Sequence, residues 1–211
     1  METNLMKGYM DAYRLACIGL AGRDPAEICL NAAVSLNAER NAFHTKYLGK
    51  VYQINVETGK VNVLNSDEDV TVTVQVLLLH YLIKSGNKPL SGKLISFGDL
   101  KNGAAIYYPT FYKRAVAPLL NTFGNCVEDL YKCSTEIDGV KEKYGHASVT
   151  IPVLPMIPVT YVLWEGEEGI PASGTILFDA SIEYFLPAED IVCAGSFGVY
   201  ELMGIKQKNS M

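Results

Sequence analysis

The stretch Ser66-Asp67-Glu68-Asp69-Val70-Thr71-Val72-Thr73-Val74-Gln75-Val76-Leu77-Leu78-Leu79-His80-Tyr81-Leu82-Ile83-Lys84 admits two readings. From Val70 to Val74 it alternates β-branched residues, as a half-buried strand does. Against that, Val70, Val74, Leu77, Leu78 and Tyr81 fall on one helical stripe. Ser66 and Asp69 have the spacing of a capping box, and Asp67, Glu68 and Asp69 would sit at the positive end of a helix dipole. The helical reading prevails and predicts a helix that ends at Ser85-Gly86-Asn87. Such a helix separates the β-patterned residues before it from those after it. The class that follows is α+β, with an antiparallel or mixed sheet built from an N-terminal hairpin region and a C-terminal strand region.

Working outward, Val51 to Val56 and Val61 to Leu64 alternate around Glu57-Thr58-Gly59-Lys60, which predicts a hairpin, and Phe43 to Tyr47 reads as a further strand. Toward the N-terminus, apolar residues at helical spacing predict a helix over 3–19, and Asp24-Pro25 opens a second one. Downstream, Leu94 to Phe97 reads as a short strand. A helix is predicted over 109–123, disturbed at Pro118, and another over 125–133. Strands follow at 147–153, 159–164 and 175–179, with Pro152, Pro155 and Pro158 at edge positions or bulges. Pro187 opens a closing helix over 187–203. Residues 1–205 read as one domain, and 206–211 as a frayed polar tail.

The chain has 211 residues, 49% hydrophobic and 19% charged, and a formal net charge of -5. That composition excludes a disordered chain. An acidic chain is also a poor general nucleic-acid binder, because such binding needs dense Lys and Arg against phosphate. No apolar run approaches the roughly 20 residues that span a bilayer, so no membrane is expected. Met1 to Lys7 lack the basic and apolar pattern of a leader, which makes a cytoplasmic location the expectation. The cysteines Cys17, Cys29, Cys126, Cys133 and Cys193 are odd in number and include no C-x-x-C pair. Neither a disulfide framework nor a metal site is expected.

Familiar cofactor and catalytic signatures are missing. Gly86 to Leu94 superficially resembles a phosphate loop, but five residues separate Gly86 from Gly92 and Leu94 stands where Ser or Thr is required. G-x-G-x-x-G, G-x-S-x-G and H-E-x-x-H do not occur, so the cofactor is left unknown. His80 in its apolar run reads as a satisfied, partly buried histidine. The densest aromatic patch, Tyr107-Tyr108-Pro109-Thr110-Phe111-Tyr112-Lys113-Arg114, reads either as a ligand wall or as core wedges. Asp179 closes an apolar strand, where an acid caps a turn or acts as a general acid or base. Glu189 and Asp190 read as complements to a helix dipole.

Four blocks carry a resemblance. They are Leu77 to Leu82; Pro89 to Phe97 with Gly103, Tyr108-Pro109, Phe111, Lys113-Arg114 and Pro118-Leu119; Ile151-Pro152 through Pro158 to Trp164; and Ile176 to Ser181 with Leu186 to Asp190. Together they resemble the bacterial and archaeal family called domain of unknown function 3786. The resemblance implies a setting in anaerobes, where some members carry an appended iron–sulfur domain of the kind seen in corrinoid iron–sulfur proteins. In the last block this chain has Phe185 and Ala188 where the family pattern has Tyr and Thr. Tyr81, Tyr108 and Asp179 are the best-matched polar positions.

The leading expectation is a small-molecule-binding or accessory protein in anaerobic one-carbon or corrinoid-linked metabolism. Its site is expected at Tyr81, Tyr107, Tyr108, Phe111, Arg114 and Asp179, holding a small anionic or planar ligand. One alternative is an enzyme with Asp179 as general base and a tyrosine as acid, which requires a raised Asp179 pKa. The other is an interaction module docking to an iron–sulfur or corrinoid partner, which requires a contiguous exposed apolar patch and no deep pocket.

Overall fold

A computed structural model describes residues 2–210. The chain begins with helices α1 (Glu2–Ala21) and α2 (Pro25–Ala32), the second capped by the Asp24 carboxylate, which accepts from the Ala26 N–H. Strands β1 (Ser35–Leu36), β2 (Ala42–Tyr47), β3 (Lys50–Asn55) and β4 (Val61–Val63) form an antiparallel sheet in that order. The expected hairpin is its right half, with Tyr52 opposite Val63. Its turn uses Gly59 at φ 68°, where a side chain would also collide with Cys17 of α1.

The deciding stretch is a helix, α3 (Val72–Lys84), as the apolar stripe requires. Its start differs from the expectation. Ser66 does not cap it; the Ser66 hydroxyl instead accepts from the Glu68 N–H in a turn. Thr71 is the N-cap and makes no side-chain cap bond. The acidic run is therefore a separate segment, with Glu68 paired to Lys50.

The second sheet has strands β5 (Leu94–Ser96), β6 (Val140–Lys141), β7 (Ala147–Leu154), β8 (Ile157–Trp164) and β9 (Ser173–Asp179), ordered β5-β9-β8-β7-β6. All pairings are antiparallel. Pro152 faces Pro158 beside a register shift, so the prolines mark a bulge at the end of a hairpin inside the sheet, not an edge strand. The Leu48 N–H donates to Val153 O and ties the first sheet to the second. One contiguous apolar core runs through both sheets and the helices.

Helix α4 (Ala104–Phe111) starts five residues before Pro109, at Gly103 with φ 79°. It runs into a π-helical segment, Tyr112–Val116, and then α5 (Ala117–Phe123), so Pro118 sits in the first turn of a restarted helix, where its missing N–H costs little. Helix α6 (Glu128–Ser134) follows. The closing helix α7 (Ala188–Asn209) is longer than its pattern indicates. The predicted tail is largely helix: Lys206 donates to Thr122 O and pairs with Asp129, which anchors the last turn. α7 lies on the five-stranded sheet through small residues. A Cβ at Gly198 would collide with the Tyr161 hydroxyl, which donates to Gly195 O.

Candidate functional site

The structure disperses the six residues expected to form one site. Tyr81 is fully buried; its hydroxyl donates to Ala32 O at 2.6 Å and accepts from the Met156 N–H at 3.1 Å. It ties α2, α3 and the β7–β8 turn together. Both bonding roles of the phenol are filled, so it offers nothing to a ligand. Phe111 is also core, stacked on Phe97 with centroids 4.3 Å apart and tilted against Phe178. Tyr108 is half exposed at the edge of that stack, and Tyr107 packs partly against the core beside Gly103. Of the aromatic patch, the core-wedge reading holds for Phe111.

Asp179 is a turn cap. One carboxylate oxygen accepts from the Ser91 N–H and hydroxyl and from the Ser181 N–H and hydroxyl; the other accepts from the Gly92 N–H at 2.7 Å. Burial raises its pKa, but these donors outweigh burial and hold the carboxyl down at about 2. A general base needs a raised value and a place on the wall of a cleft. Asp179 has neither, which corrects the expectation placed on it.

Arg114 is carried by the π-helical segment and turns toward α7, where it faces Cys193 and the Tyr200 and Tyr9 side chains. Next to it lies a cleft of about 340 Å³ between α1, α3 and α7. Tyr9 and Ala12 of α1, Thr73, Val76 and His80 of α3, and Glu189, Asp190 and Cys193 of α7 line it. Its polar anchor is a pair: His80 Nδ1 lies 2.7 Å from Asp190 Oδ2. The Asp190 side chain is 8% exposed and that of His80 is 33% exposed. The hydrogen bond that His80 donates to Asp190 raises the His80 pKa, against burial, which lowers it; Glu189 reinforces the rise. Asp190 therefore fixes the ring through one nitrogen, favours imidazolium and leaves Nε2–H as a second donor. Cys193, by contrast, is no thiolate nucleophile: burial pushes it to about 11, although Arg114 pulls the other way.

Each half of this pair is legible in the sequence, but their pairing is not. His80 is satisfied and partly buried and Asp190 is a helix-start acid, as their local patterns predict. They lie 110 residues apart, and only packing of α3 against α7 brings them within hydrogen-bond reach. The cue available was an imidazole in an otherwise apolar helical run.

A family model described as "Domain of unknown function (DUF3786)" matches residues 24–201. The chain belongs to this family. The match holds α3, the π-helical segment with Arg114, and the first part of α7, while α1, which forms one wall of the cleft, lies before it. No curated protein and no solved structure matches the chain significantly. No described helix is long and apolar enough to cross a membrane. Among the described residues, no group of three His, Cys, Asp or Glu side chains is placed to hold a metal ion.

Proposed function

We propose that this protein binds a small molecule carrying a carboxylate or phosphate in the α1–α3–α7 cleft. The observation that carries this reading is the His80–Asp190 pair on the cleft wall, an imidazole held by a buried carboxylate with its second nitrogen left for a ligand. Arg114 stands behind the cleft wall against Cys193, which lines it, and adds a second positive charge near the site. The cavity itself supports binding over the docking-module alternative. The placement in anaerobic one-carbon or corrinoid-linked metabolism rests on the family resemblance and belongs to the proposal.

Thermal melting of the full chain against a panel of short mono- and dicarboxylates and inorganic phosphate tests it. The expected result is at least one compound that raises Tm in the native chain and loses its effect in both His80→Gln and Arg114→Ala. A panel without a hit, or a hit indifferent to both substitutions, refutes the assignment. An acid–base enzyme is the second reading, favoured by the same pair, with His80 in place of Asp179 as the proton-transfer group. It requires turnover of the bound compound that falls in His80→Gln.

A further inference from the structure

The face of α7 that carries Asp190 and Cys193 continues, one and two turns on, to Phe197, Tyr200 and Glu201. There it borders a second cavity of about 270 Å³. Tyr47 and Tyr52 of the β2–β3 hairpin form the opposite wall, and residues 68–74 close one side. The four rings come as two angled pairs. Tyr47 and Tyr52 meet edge to face with centroids 5.5 Å apart, and Phe197 and Tyr200 are tilted at 6.3 Å. Tyr47 is 4% exposed and Tyr52 7%, and both border the cavity.

The charges around these rings are unbalanced. Lys50 is held by both oxygens of Glu68, at 3.0 and 2.8 Å, and is thereby neutralised. Asp69 and Glu201 also line the cavity and form no ion pair among the described residues. The first turn of α3 lies here and Arg114 faces Tyr200, both of which favour an anion, but Lys50 is spent on Glu68, and Asp69 and Glu201 add two further carboxylates.

We propose that this cavity is an aromatic cage for a small organic cation of the alkylammonium class, with the ring faces receiving the methyl groups and Glu201 the charge. It adjoins the anion cleft, with Thr73 on the wall of both, and takes a ligand of opposite charge. Isothermal titration of the full chain uses four probes: choline, tetramethylammonium, the neutral choline isostere in which carbon replaces the ammonium nitrogen, and inorganic phosphate. Choline and tetramethylammonium are expected to bind about tenfold more tightly than the isostere. Glu201→Gln and Tyr200→Leu, both on the accessible side of α7, are expected to weaken choline several-fold while circular dichroism shows the fold retained. Tyr52→Phe, which keeps the ring, is expected to leave choline binding within about twofold. Equal affinity for the isostere makes the cavity a plain apolar hole and overturns the proposal. Binding of phosphate that Glu201→Gln strengthens overturns it in favour of the helix terminus, and the absence of heat with either cation overturns it outright.

Discussion

Asp179 and Asp190 stand at the two ends of one short segment, and both are buried, at 4% and 6% exposure. Their surroundings differ. Asp179 takes five hydrogen bonds from Ser91, Gly92 and Ser181, all internal to two loops. Asp190 takes one, from an imidazole on the wall of a cavity. A buried carboxylate that takes five donors from backbone N–H groups and serine hydroxyls is a structural fastener, since the ionised form is strongly favoured. A buried carboxylate with one titratable partner that faces open space can transmit its charge to something that enters. Burial alone does not separate the two; the number and kind of donors does.

The sharpest break of this contrast is Asp179→Ala. It leaves the Ser91, Gly92 and Ser181 N–H groups without their acceptor and is expected to cost on the order of 4 kcal/mol in chemical denaturation. Acid unfolding comes next. The Asp179 pKa of about 2 lies below the ordinary 3.8. Its contribution, about 2 kcal/mol, is full above 3.8 and lost as pH falls through about 2, and the acid limb should flatten in Asp179→Asn. Ser181→Ala removes one of the five donors and is expected to cost about 1 kcal/mol.

The smallest effect belongs to the other aspartate. Asp190→Asn is expected to change stability by less than about 1 kcal/mol, because a third-exposed imidazole is its only partner among the described residues and water screens the pair. Its signature is in titration. The His80 pKa is raised, so the pair's contribution is full below the ordinary 6.5 and fades as pH rises through the folded value. NMR titration should place the native His80 above 6.5 and the Asp190→Asn form below it, since burial together with Lys84 then outweighs Glu189. If Asp190→Asn destabilises as strongly as Asp179→Ala, both acids are fasteners and the cleft loses its anchor.

Much of the architecture was legible from local pattern. The hairpin of β3 and β4, the three long strands after residue 147, and α3 over its apolar stripe all follow from the period at which apolar residues recur. The misreadings sit where a local cue had a distant competitor. Ser66 and Asp69 have capping-box spacing, but Glu68 is drawn to Lys50 and the helix begins six residues later. Residues 206–209 are polar and still helical, because Lys206 reaches Thr122 O and Asp129. Phe111 and Arg114 are near neighbours in one aromatic patch, and the π-helical turn sends one to the β9 stack and the other to α7.

By itself the sequence determined the α+β class, the positions of most elements and the lack of familiar catalytic signatures, because these depend on residues a few positions apart. Only the tertiary structure decided which polar residues face a cavity. Asp179 meets Ser91 across 88 residues, and His80 meets Asp190 across 110. Those encounters are set by how helices and sheets pack, and the number of donors that reach a buried carboxylate is a property of that packing.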